Sequence, residues 1–290
     1  MSLLIVAILV LARRTGQGAA MSSGVDLERG KKIYRQTCLE CHGPAGRGDG
    51  PKAKKLGFRP RDFKLGAFKC RCTPSGQLPT DDDLLRVVTR GMPGTPMPSH
   101  EKTLSLEDRH AVILYIKSLS PGFAAGSALP CISIPDPLPV TPELVAEGKQ
   151  IYRIMSCWKC HGVAGRGDGP ASKGLKDDWG NPINAYNFTL KGKLKCGGDA
   201  RDFYRTLHTG MTGSPMPSFD AAFPFARDSV TNFTAFQGAF TAAEVQDLKG
   251  YLQRQPDKAA LSYLSPKASQ QLVEKRTWAL IYYLRSLLLP

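Results

Sequence analysis

The stretch Cys38-Leu39-Glu40-Cys41-His42 recurs as Cys157-Trp158-Lys159-Cys160-His161, 119 residues further along the chain. Two thiols two residues apart, followed at once by an imidazole, form the attachment signature of haem c: the cysteines add to porphyrin vinyl groups and the histidine becomes an axial iron ligand. A zinc ribbon would need a second ligand pair roughly 15 to 20 residues on, and a redox CxxC a βαβ setting; neither is present. The pair of motifs therefore predicts two covalently bound haem c groups, held by Cys38, Cys41, Cys157 and Cys160, with His42 and His161 on the irons.

Working outward, both motifs run into a glycine-dense loop, Gly43-Pro44-Ala45-Gly46-Arg47-Gly48-Asp49-Gly50-Pro51 and Gly162-Val163-Ala164-Gly165-Arg166-Gly167-Asp168-Gly169-Pro170. Such a loop cannot hold a helix and reads as a tight turn beside the cofactor, where Arg47 and Arg166 could neutralise propionates. Before each motif lies an amphipathic helix, residues 25–37 and 142–155, each with a Gly and Tyr four apart (Gly30 and Tyr34, Gly148 and Tyr152). The glycine is expected to admit a crossing helix and the tyrosine to fill the packing. Further on, acidic residues open a helix over Leu84 to Val88, with its copy around Asp202 to Leu207. Each leads into a methionine loop, Gly91-Met92-Pro93-Gly94-Thr95-Pro96-Met97-Pro98-Ser99 and Gly210-Met211-Thr212-Gly213-Ser214-Pro215-Met216-Pro217-Ser218, again 119 residues apart. A methionine fixed between prolines presents a soft thioether, so Met97 and Met216 are the expected second axial ligands, with Met92 and Met211 as packing residues.

The closing helices are expected over residues 106–119 and around Trp278 to Leu287. Residues 121–140, rich in proline, read as a semi-rigid linker. The expected order is thus a signal peptide or its remnant at 1–20, one domain at 24–120, the linker, and a second domain at 141–290. About 49 extra residues fall between Phe219 and Lys275 in the second domain, with a helix candidate over Ala242 to Gln253; a lid and a docking surface are both open readings. The apolar run Leu3 to Ala12 is too short to span a bilayer and suits an export signal, and neither terminal helix is apolar over a spanning length.

Of the eight cysteines, Cys70, Cys72, Cys131 and Cys196 lie outside the motifs. Haem attachment outside the cytoplasmic membrane permits disulfides among them, for instance from the Cys131 linker to Cys70 or Cys72. The formal net charge of +14 is spread over both halves, with concentrations at Lys52, Lys54, Lys55, Arg59, Arg61, Lys64, Lys69 and Arg71, and at Lys191, Lys193 and Lys195. This surface suits acidic redox proteins or membrane-bound complex subunits; an exported location disfavours nucleic acid. His100, His110 and His208 remain: the first two read as surface residues, and His208 as a propionate hydrogen-bond donor.

Helix, CxxCH, glycine loop, Met-Pro loop and closing aromatic helix, in that order, make each half resemble a class I cytochrome c domain. The resemblance implies a mainly α-helical fold of two such domains in tandem, proximal His42 and His161, and distal Met97 and Met216. Filled axial positions imply electron transfer between redox partners of a respiratory or related chain, as an exported periplasmic shuttle or a complex subunit. The alternatives are a dihaem enzyme, either a thiosulfate dehydrogenase with a cysteine sulfur on one iron or a peroxidase with a vacant position.

Overall fold

The computed structural model describes residues 24, 26–57, 59–126, 128–190, 192 and 194–288. The expected signal segment at 1–20, and Lys191 and Lys193 of the second basic cluster, lie outside these residues. The described chain is helical and divides into two compact units. One comprises Met1–Gly66, Leu84–Gly91 and Ser99–Ser127; the other Ala67–Asp83, Met92–Pro98 and Ala128–Pro290.

In the first unit, helix α1 (residues 26–33) passes through a π-helical turn, Tyr34–Cys38, into the one-turn helix Leu39–His42. Helix α2 (Asp81–Arg90), which belongs to this unit from Leu84 onward, opens on three acidic residues at the positive end of its dipole. Helix α3 (Leu106–Ser118) starts where the Ser105 hydroxyl accepts the Asp108 amide at 3.1 Å. Its buried face is Ala111, Val112, Ile113 and Ile116; Ile33, Tyr34, Phe63, Leu84 and Val88 are also buried, and the Tyr34 ring lies against those of Phe63 and Tyr115. α1 and α3 touch at Gly30: a Cβ there would collide with the Ala111 carbonyl. Only glycine admits this approach.

The second unit repeats the plan. Helix α4 (Pro142–Ile154) is capped by Thr141 with Pro142 in its first turn, and helix α5 (Ala200–Thr209) by Asp199. Helix α6 (Ala242–Gln253) begins with a reciprocal capping box between Thr241 and Glu244. Helix α7 (Pro266–Ser286) crosses α4 where a Cβ on Gly148 would strike the Ala279 carbonyl. From Tyr152 to Cys157 the connection is one residue longer than from Tyr34 to Cys38. The second copy absorbs the extra residue by ending α4 at Ile154 and placing Ser156 in the left-handed region at φ 58°.

The insert is neither detached lid nor loose loop. Phe223, Phe225, Phe236, Phe240, Val245, Leu248, Tyr251 and Leu252 are buried in one core with Ile151, Tyr152, Trp158 and Trp278 to Leu284. Its last ten residues, 266–275, form the first half of α7, so the closing helix is longer than its aromatic stretch suggested. Arg276, fully buried, holds the insert from inside by donating to the carbonyls of Phe223 and Phe225 and lying 3.7 Å from the Phe225 ring centroid.

Disulfides Cys70–Cys196 and Cys72–Cys131 pin two outlying segments to the second unit. Between them Arg71, also buried, donates to the carbonyls of Phe68, Pro74 and Thr209. The linker is ordered by the same unit: Ile132 N donates to Cys72 O, Arg201 binds Asp136, and Tyr282 donates to Leu138 O. No helix among the described residues is long and apolar enough to cross a membrane.

Candidate haem sites

Each CxxCH is a single helical turn closed by the glycine that follows it. Gly43 and Gly162 adopt φ 77° and 80°, and their amides donate back to Leu39 O and Trp158 O. A Cβ on either would collide with the carboxylate of Asp49 or Asp168, which is why the loop carries Gly at one end and Asp at the other. The loop then folds over the motif: Gly48 N donates to His42 O and Gly50 N to Cys41 O, while Gly167 N donates to His161 O and Gly169 N to Cys160 O.

The histidines are set identically in both copies. His42 Nδ1 lies 3.1 Å from Arg61 O, and His161 Nδ1 lies 2.9 Å from Tyr186 O. A carbonyl can only accept, so Nδ1 carries the proton and Nε2 keeps its lone pair for a metal. Each imidazole also lies against a phenylalanine: Phe63 at 4.5 Å from His42 and Phe188 at 4.6 Å from His161, centroid to centroid. Those phenylalanines are in turn fixed by amide bonds of 2.7 Å to Gly46 O and Gly165 O. Burial lowers the pKa of both histidines, which favours the neutral, ligating form.

The supporting residues lie where the two halves diverge in sequence, Arg61-Asp62-Phe63 against Tyr186-Asn187-Phe188. The structure places an Asx turn in each: Asp62 accepts the Lys64 amide and Asn187 the Thr189 amide, both at 2.9 Å. That turn brings the preceding carbonyl and the following phenyl ring onto one imidazole.

The methionine loops also share one geometry. Met92 N donates to Met97 O at 3.2 Å and Met211 N to Met216 O at 3.0 Å; Thr95 and Ser214 hydroxyls both donate back at 2.7 Å, to Met92 O and Met211 O. Met97 sits in the stretch Met92–Pro98, which belongs to the second compact unit. Met216 and Cys157 both pack against the second unit's core.

Among the described residues the cysteines outside disulfides are Cys38, Cys41, Cys157 and Cys160. Burial, then the neighbouring Cys41 or Cys160, pushes the Cys38 and Cys157 thiols up to about 12. Cys70, Cys72, Cys131 and Cys196 are spent in disulfides, so none offers a thiolate to iron. His208, read as a propionate hydrogen-bond donor, instead has its ring nitrogens occupied by Asp220 and Thr277. His110 is exposed, His100 sits 3.3 Å from the Thr103 hydroxyl, and Arg47 and Arg166 are exposed.

Residues 145–256 match the family model "cytochrome c", and residues 25–116 match the model "cytochrome C oxidase, cbb3-type, subunit III". The chain is 33% identical to a chain of the Kuenenia stuttgartiensis reducing HAO-like protein complex Kustc0457/Kustc0458, over 90% of this chain and 96% of that one, with a TM-score of 0.70. The chain belongs to the cytochrome c family. It is a helical, tandem cytochrome c, one domain in each half. No curated protein matches it.

This cytochrome's own residues fit covalent haem c: two unspent thiols and one neutral, anchored imidazole stand on one turn in each domain. The cytochrome c domains point to electron transfer, the one-electron chemistry that haem iron supplies when bound.

Proposed function

We propose that the protein carries two haem c groups, on Cys38 and Cys41 and on Cys157 and Cys160, and transfers electrons between redox partners outside the cytoplasmic membrane. His42 with Met97, and His161 with Met216, are the proposed axial pairs. The observation that carries this reading is the duplicated anchoring of the imidazoles, Nδ1 on a backbone carbonyl and ring on a phenylalanine, in both domains. A catalytic centre would require one copy to depart from the other so as to free an iron position. Instead the two copies keep the same histidine support and the same methionine-loop hydrogen bonds.

The similarity to a chain of a reducing HAO-like protein complex favours a subunit role over a free shuttle. On this reading the partner is a redox protein that binds stoichiometrically.

The test is the intact mass of the exported protein with its spectra. Two haem additions, and a near-infrared methionine-to-ferric-iron band of two-site intensity, are expected. One haem addition, or a half-intensity band, would reject the paired His/Met carrier. Purification of the tagged full chain from its native source would separate a stoichiometric subunit from a shuttle.

A further inference from the structure

The methionine loops of the two domains are hung from the preceding helix in the same way but pivot on different side chains. In the first copy the Ser99 hydroxyl donates to Thr89 O at 2.7 Å, and Thr89 Oγ1 accepts from Arg109 at 2.6 Å. In the second the Ser218 hydroxyl donates to His208 O at 2.5 Å, and His208 Nε2 stands 3.1 Å from Thr277 Oγ1. Thr89 and His208 occupy equivalent places before their loops, as do Arg109 and Thr277 on the closing helices α3 and α7. A permanent cation facing a hydroxyl has been replaced by a titratable ring facing a hydroxyl.

The ring is held tightly. His208 is 6% exposed and stacked between Tyr204 at 4.3 Å and Phe223 at 5.0 Å. Its Nδ1 lies 2.6 Å from Asp220 Oδ1, and the Asp220 amide donates to Ser218 Oγ at 3.2 Å. Phe219 N donates to Leu207 O at 2.8 Å. Residues 218–220, which follow Met216-Pro217 directly, are therefore tied to α5 through its backbone and through the His208 ring.

Thr277 lets the ring exist in two charge states without an orphaned polar atom. Its Oγ1 lies 2.8 Å from Val273 O as well as near Nε2. When His208 is neutral, with its proton on Nδ1 toward Asp220, the threonine hydroxyl donates to Nε2. When His208 is charged, Nε2–H donates to Oγ1 and the hydroxyl turns to Val273 O.

We propose that His208 is a positioning residue for the Met216 loop whose charge state sets the redox potential of the second centre, while the first centre, pivoted on Thr89, lacks this control. This rests on the reading of Met216 as an axial ligand. Protonation places a positive charge beside the loop and disfavours the ferric state, so the second potential rises as pH falls. Burial lowers the His208 pKa and Asp220 opposes that shift, placing the change on the acid side of the ordinary histidine range. The other charged or titratable groups around it are Tyr204, stacked on the ring; Glu274 on α7, whose charge reaches Tyr204; Arg276, which donates to the carbonyl of Phe223; and Arg71, which donates to the carbonyl of Thr209.

The experiment is spectropotentiometric titration of the full haem-loaded chain at a series of pH values from about 7.5 down to about 5. Met216→His shifts one of the potentials and so assigns the second centre. The expected result is that this potential rises on acidification, by about three- to tenfold in the one-electron equilibrium. His208→Gln, which can still hydrogen-bond, should abolish the rise and leave the first centre unchanged. Asp220→Asn, at a side chain 71% exposed, provides the second variant should His208→Gln fail to fold, and should move the rise to lower pH. A flat second potential in the wild type, or a rise unaltered in either variant that folds, overturns the proposal. Absence of the methionine signature at the second centre overturns the ligand reading itself, and the proposal with it.

Discussion

The hydroxyl of Tyr152 donates a 2.6 Å hydrogen bond to the carbonyl of Gly162, the residue directly after the second CxxCH; Tyr34 makes the same bond to Gly43 at 2.7 Å. Each spans the α4-type helix and the motif turn, so the phenol fixes the strained glycine that ends the histidine's own turn. Tyr152→Phe leaves the buried carbonyl without its donor. The expected cost is about 1 to 3 kcal/mol of stability, measured by denaturant unfolding, with Tyr34→Phe behaving likewise.

The same bond has a pH consequence. Burial, before any neighbouring charge, raises the pKa of both phenols. Above about pH 10 the unfolded chain releases the phenolic protons and the folded chain retains them. The folded state then binds more protons, and stability falls as pH rises. Below that pH the contribution is constant. Unfolding measured across the alkaline range should show this decline in the wild type and a shallower one in the Tyr152→Phe variant.

Gly148 provides the sharpest steric prediction, because a methyl group there meets the Ala279 carbonyl rather than a side chain that can move. Gly148→Ala is expected to destabilise by about 1 to 3 kcal/mol or more. Gly238, at φ −82° with nothing within 4 Å of an added Cβ, provides the control. There alanine should be neutral or stabilising by about 0.4 to 1 kcal/mol. Thermal unfolding of both variants checks the pair.

The motifs, both methionine loops, the glycine pairing of the helices and the helical class could all be read from residues, because each is a local pattern written twice. What could not be read depends on one copy alone. His208 has Thr89 as its counterpart, so duplication offered no guide to its role, and its partners Asp220 and Thr277 lie 12 and 69 residues away. The disulfides were open for the same reason: Cys70 finds Cys196 across 126 residues, and nothing local selects that pairing. The carbonyls of Arg61 and Tyr186 carry no side-chain signature at all. Only the Phe two residues later betrays them.

Paired replacement Cys70→Ser with Cys196→Ser separates structural from ligating sulfur. The bridge closes a long loop, so its loss is expected to cost about 2 to 5 kcal/mol. The iron spectra should be unchanged, since neither sulfur is free to bind metal. A change in the Soret or near-infrared bands without loss of stability would instead favour a cysteine-ligated centre.

The insert is best tested at Trp158, which lies between the two cysteines of the second CxxCH and is 4% exposed. Its indole packs against Phe240 at 5.4 Å and Phe236 at 6.0 Å, both from the insert, and Arg153 lies 4.8 Å from the Phe240 ring centroid. The corresponding residue in the first motif, Leu39, is only half-buried. The added residues thus extend the core to the outer side of the second motif rather than hang over it. Phe236→Ala or Phe240→Ala is expected to cost about 3 to 5 kcal/mol, as for aromatic deletion from a core. Hydrogen exchange should speed up in α4 and α7 as well as α6, because all three share that core. A separable lid would behave otherwise: exchange would rise in residues 219–265 alone, and the unfolding midpoint would stay where it was.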